Sequence, residues 1–162
     1  IADPTDPRWA ELAARMSAAM YAVEGIGLAA PQVGESVRLI VLAYKRGTPP
    51  RGIFADDTRE TLVPCVLGPA LVLINPEILE RDGTQTELEG CLSTPGLRRN
   101  MQRAARVRVA GLNFLGEPEV VEAWGVPACV LQHEIDHLDG KTIADGLSRQ
   151  QKRRWDRGRK QR

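Results

Sequence analysis

The chain has 162 residues, 43% hydrophobic and 27% charged, enough for one domain with a sizeable core. It contains no apolar run long enough to cross a bilayer, and its polar start, IADPTDPRWA, lacks the apolar stretch of a secretory signal. Net charge is only +1, but residues 152–162 hold seven of the 22 Lys/Arg and one of the 21 Asp/Glu, so a basic tail follows an acidic body. Three cysteines, Cys65, Cys91 and Cys129, are too few and too unevenly placed for a disulfide framework and point to a reducing compartment. The chain opens on Ile1 rather than methionine, which suggests residues upstream of it.

Asp6-Pro7 supplies an N-cap and a first-turn proline. Apolar residues then recur at Trp9, Leu12, Ala13, Met16, Met20 and Val23, which predicts a helix ended by Gly25. GIGLAAPQVG is glycine-rich and broken by proline, and reads as a loop or short bulged edge segment. VRLIVLAY reads as a buried strand, and the charged stretch KRGTPPRGIFADDTRE as an exposed loop or insertion. PALVLINPEIL is a second strand region, closed by Asn75-Pro76.

After a turn at Asp82-Gly83, the segment LEGCLSTPG is turn-like. RVRVAGLNF alternates, GEP turns, and EVVEAWGV returns as the second arm of an antiparallel hairpin. Pro127 opens a second main helix that Gly140 ends, and a polar segment from Ser148 can be helical. The expected fold class is α+β: antiparallel strands packed around this second helix, with an N-terminal helix and a basic C-terminal helix or tail. The expected division is a catalytic domain over 1–147 and a basic tail over 148–162.

Both histidines of the chain fall in QHEIDHLDG, at His133 and His137. Residues four apart share a helix face, so both imidazoles can reach one metal ion. Glu134 is placed to contact an activated water without being a ligand, which is the chemistry of H-E-x-x-H. A catalytic site needs a third protein ligand, and no third histidine exists. Cys129 lies eight residues from His137, about 12 Å along a helix axis, too far for one ion. Spacing does not choose between Cys65 and Cys91. On the residues alone, a zincin-like metallopeptidase or a structural zinc module stay open as alternatives.

Three segments in series, GIGLAAPQ (25–32), EGCLS (89–93) and QHEIDHLDG (132–140), resemble the peptide deformylase family. That resemblance implies a metal-dependent hydrolase that removes the N-formyl group from N-formylmethionyl nascent polypeptides and releases formate. By motif match it implies Cys91, His133 and His137 as metal ligands and Glu134 as the acid/base. The Gln32 amide and the Leu92 backbone N–H would face the developing oxyanion, where loss of one donor typically costs ~10²–10³ in rate. Glu89 and Gly90 would frame the ligand turn, Gly27 would contact the substrate backbone, and Arg98 would help organise the site.

An apolar pocket for the methionine side chain would draw on Ile26, Val126, Cys129 and Val130. A thiolate with two imidazoles suits borderline metals. The resemblance implies Fe²⁺, with Zn²⁺, Ni²⁺ or Co²⁺ as substitutes. It also implies contact of the basic tail with the ribosome, no membrane and no specific DNA, and a location in the cytoplasm or an organellar matrix or stroma. The chain departs from the family in lacking an N-terminal strand and in its longer, more polar loop 45–64. Cys65, just after that loop, has no role the family supplies.

Overall fold

A computed structural model describes residues 1–47, 61–64 and 70–159. Helix α1 (Pro7–Ala22) begins where the Asp6 carboxylate accepts the Arg8 amide at 3.0 Å. Its buried stripe is Trp9, Leu12, Ala13, Met16 and Met20, while Val23 is an exposed C-cap. The glycine-rich segment becomes a three-residue edge strand, β1 (Gly27–Ala29), and a 3-10 turn, Ala30–Val33.

Strands β2 (Leu39–Leu42), β3 (Tyr44–Gly47), β4 (Thr61–Pro64), β5 (Leu71–Asp82), β6 (Gln85–Gly90), β7 (Arg98–Arg103), β8 (Arg106–Leu112) and β9 (Pro118–Trp124) follow, then helix α2 (Val126–Leu138) and helix α3 (Arg149–Arg159). Five strands form one antiparallel sheet in the order β1-β2-β5-β8-β9, while β3-β4 and β6-β7 are separate two-stranded sheets.

The sheet is covered on both faces, which explains the unbroken apolar run of β2. Ile40 and Leu42 pack with Leu73, Val107 and Val109 against Ala128, Leu131 and Ile135 of α2. Leu39 and Val41 point the other way and pack with Ile74 against α1. Leu131 is fully buried, which contributes about 1.5–3 kcal/mol relative to exposure. This two-sided packing fixes α2 across the sheet, so the site residues stand on a rigid support. Gly140, at φ +73, takes the left-handed conformation that ends α2, and the Lys141 amide returns to Asp136 O at 2.8 Å.

The α+β class, the β8–β9 hairpin, α1, α2 and the helix after Ser148 are as expected. Three local expectations need correction. First, β5 does not stop at Asn75-Pro76. Asn75 adopts φ +50, and the pairing with β8 shifts register between Ile74 and Glu77. Pro76, which has no N–H to contribute, is thereby accommodated in a bulge and the strand continues to Asp82.

Second, the segment after Asp82-Gly83 is a regular hairpin, with Gly90 paired to Arg98 and Gln85 to Arg103. Third, the ends of the expected 45–64 loop are strands, since Tyr44–Gly47 pairs with Thr61–Pro64. Residues 48–60 and 65–69, Cys65 among them, lie outside the described residues.

Helix α3 opens with reciprocal capping between Ser148 and Gln151, at 2.8 and 3.2 Å. Trp155 Nε1 then donates to Pro95 O at 3.1 Å, tying this helix to the turn after Cys91. Among the described residues no helix is long and apolar enough to cross a membrane.

Candidate active site

His133 and His137 project from one face of α2, with their Nε2 atoms 3.3 Å apart. Cys91 leaves the end of β6 and begins a tight turn closed by Thr94 N to Cys91 O at 3.0 Å. Its Sγ lies 3.1 Å from His137 Nε2, and the three donor atoms all fall within 4.8 Å of one another. Burial alone would raise the Cys91 thiol, but the two imidazoles and the Ser93 amide outweigh it and lower it to about 5. A half-buried thiolate facing two imidazoles is a donor set that fits a single borderline metal ion.

The outer contacts set the imidazole geometry. Glu89 Oε2 lies 2.8 Å from His133 Nδ1, so a proton shared there leaves Nε2 facing Cys91 and His137. Arg103 clamps Glu89 through Nε at 2.7 Å and a second nitrogen at 3.0 Å, and reaches Asp136 of α2 at 2.5 Å. The Arg103 and Glu89 side chains are each only 9% exposed. Burial works against the Glu89 charge, but Arg103 and His133 prevail and hold the carboxyl down at about 2.

Glu134 lies inward of this shell and is 4% exposed. Its Oε2 is buried without a hydrogen-bond partner among the described residues. Burial pushes this carboxyl up to about 7, with the imidazoles opposing and the Cys91 and Glu89 charges adding to it. An orphaned carboxylate oxygen beside three converging donors is what a metal-activated water or a substrate group would satisfy.

Gln32 is oriented from both ends. Its Oε1 accepts the Ala29 amide at 2.8 Å, and its Nε2 lies 3.1 Å from Ser93 Oγ and 3.6 Å from Cys91 Sγ. The Leu92 N–H has no acceptor among the described residues, and its side chain is exposed at the rim.

One cleft of about 580 Å³ is lined by twelve of the residues singled out from sequence besides Glu134: Ile26, Gly27, Gln32, Glu89, Gly90, Cys91, Leu92, Arg98, Val126, Cys129, Val130 and His133. His137 is buried and does not line it. Gly27 passes so close to α2 that a Cβ there would meet Val130 Cγ1 at 2.8 Å and Glu134 Cδ at 2.9 Å. Glu89 lines the cleft, yet its carboxylate is engaged by His133 and Arg103 rather than left for substrate. The Arg98 side chain is exposed and makes no hydrogen bond or ion pair among the described residues. Arg103, which holds Glu89 and Asp136, was not singled out from the sequence, since it sits among several arginines with nothing to mark it. Cys129 is buried and stays outside the donor cluster, as its spacing required.

Comparison with known proteins agrees with this geometry. The model of the polypeptide deformylase family matches residues 1–153. The peptide deformylase of Alkalilimnicola ehrlichii is 43% identical over 143 residues, covering 88% of this chain and 70% of that protein. The crystal structure of peptide deformylase from Ehrlichia chaffeensis aligns with a TM-score of 0.80 at 31% identity, covering 97% of this chain and 84% of that one. The Met-Ala-Ser-bound class I type b peptide deformylase from Acinetobacter baumannii aligns with a TM-score of 0.73 at 35% identity, covering 91% and 86%. With the match running nearly end to end and the cleft built on an H-E-x-x-H helix, the chain belongs to the peptide deformylase family.

Proposed function

We propose that this chain hydrolyses the formamide of N-formylmethionyl peptides to formate and a free amine, with one metal held by Cys91, His133 and His137. The observation that carries this reading is the buried, unpartnered Glu134 Oε2 next to those three donors. When bound, the metal polarises the formyl carbonyl and acidifies a water.

Glu134 takes the proton of the attacking water and returns it to the leaving nitrogen. Its carboxyl, pushed up to about 7, suits both directions of transfer. Gln32 Nε2 and the Leu92 N–H donate to the oxygen on which negative charge develops. Ser93 and Ala29 hold the Gln32 amide in place for that task. Glu89, clamped by Arg103, keeps His133 in the tautomer that presents Nε2.

Gly27 and Gly90 let the substrate backbone approach, Arg98 stands at the cleft mouth, and Ile26, Val126, Cys129 and Val130 receive the methionine side chain. The binding of Met-Ala-Ser by the Acinetobacter relative supports a methionyl peptide as the occupant. We read Fe²⁺ as the native metal, with Zn²⁺, Ni²⁺ or Co²⁺ accepted by the same donors.

Residues 1–147 form the catalytic unit in this reading. The basic tail 148–162, anchored through Trp155, faces an anionic surface such as that of the ribosome. The relatives named above are bacterial, which supports a cytoplasmic setting for the reaction. The test is formate release from formyl-Met-Ala-Ser by protein purified without oxygen. Glu134→Gln should keep its metal and lose about 10²–10⁴ in kcat, whereas unchanged turnover would remove Glu134 from the mechanism.

A further inference from the structure

Beside Cys129 the cleft holds a group that none of these roles uses. Along β6, Gln85, Glu87 and Glu89 alternate with the exposed Thr86 and Leu88, so all three face α2. Gln85 Nε2 donates to Gly125 O at 2.8 Å, at the start of α2, and Glu89 reaches His133 at 2.8 Å. Four strand residues rise about 13 Å, and eight helical residues rise about 12 Å. The two elements therefore run in step, and Glu87 falls level with Cys129. The thiol registers that neighbour: burial first, then the Glu89 and Glu87 charges, push Cys129 up to about 11.

Glu87 lines the cleft, and its side chain has no hydrogen bond or ion pair among the described residues. Of the nearby cations, Arg98 is paired in register with Gly90, three residues further along β6 and about 10 Å away, and Arg103, whose charge also reaches Cys129, is held by Glu89 and Asp136.

We propose that Glu87 is a specificity-determining residue. It gives the pocket of Ile26, Cys129 and Val130 an acidic wall, so that the pocket takes N-formyl peptides whose first side chain ends in a cation or hydrogen-bond donor, besides the methionyl side chain. The inference rests on the deformylase reading of the cleft. A carbonyl seated at Cys91, His133 and Glu134 places the adjoining side chain about one helical turn toward the start of α2, at Cys129 and Val130. An apolar side chain there strips water from the Glu87 carboxylate without replacing it. A thioether has no donor to offer, whereas an ammonium on a stem of similar length pairs with the carboxylate directly.

Formyl-Nle-Ala-Ser and formyl-Lys-Ala-Ser form a matched pair that differs at the end of one side chain. The experiment compares kcat/KM for formate release from both peptides by metal-loaded wild type, Glu87→Gln and Glu87→Leu. The lysyl-to-norleucyl ratio should fall about tenfold in Glu87→Gln, and further in Glu87→Leu, where the norleucyl peptide should also improve. In the wild type the ratio should fall as salt is added. A ratio within twofold of wild type in both variants, with formyl-Met-Ala-Ser still cleaved, would overturn the role of Glu87 alone. No formate from any of the three peptides with the wild type would overturn the deformylase reading and this inference together.

Discussion

One added methyl at Gly27 tests how closely the cleft is built around Glu134. A Cβ at this position would lie 2.9 Å from Glu134 Cδ and 2.8 Å from Val130 Cγ1, at least 0.5 Å inside the 3.4 Å at which ordinary contact begins. The Val130 side chain and the β1 backbone cannot yield easily, so the displacement falls on the Glu134 carboxylate. Glu134 and Val130 are 4% and 6% exposed, and β1 is held in register with β2 through Gly27 and Leu42. Overpacking of this kind costs about 1–3 kcal/mol of stability. Displacing a reacting group by about 1 Å costs about 10² in rate.

Gly27→Ala should therefore lower kcat for formyl-Met-Ala-Ser about a hundredfold. It should retain the metal, because the added carbon touches none of the three donors. The assay reads kcat and KM together with metal content and thermal unfolding on the same preparation. A stably folded, metal-loaded Gly27→Ala enzyme with kcat within threefold of wild type would refute the claim that the position of this carboxylate sets the rate.

Removing Gln32 as a donor, by Gln32→Ala, should cost about 10²–10³ in kcat. KM should change little, since the donor matters where charge develops; a loss confined to KM would make Gln32 a binding residue only. Arg103→Met should strand the Glu89 carboxylate beside His133 and weaken metal affinity about 10–100-fold, read by competition with a chelator. Unchanged affinity would mean that Glu89 needs no clamp to hold the imidazole.

Much of this architecture was legible because its core elements obey simple periodicities. The α1 stripe from Trp9 to Met20 and the β8–β9 alternation both bury an apolar face against the rest of the fold. Hairpin β6–β7 was not legible, because its alternation is inverted. The positions facing α2 are Gln85, Glu87 and Glu89, while Leu88 is exposed. That inner face serves the cleft instead of a core, so hydrophobic patterning had nothing to report.

The continuation of β5 past Asn75-Pro76 was not legible, because a bulge that absorbs a proline leaves no signature beyond the proline itself. The two histidines and Glu134 were readable from helical spacing alone. That Cys91 joins them was not readable, since it depends on where the end of β6 meets α2. Arg103 shows the same limit: only the folded register brings it to Glu89 and Asp136.

Formate and metal measured on the same oxygen-free sample of wild type and Cys91→Ala test most directly whether one donor set carries the reaction. Wild type should turn over formyl-Met-Ala-Ser with about one metal per chain and should lose both when Cys91 is replaced. A fully loaded wild type that releases no formate, or a Cys91→Ala protein that keeps both its metal and its turnover, would contradict this.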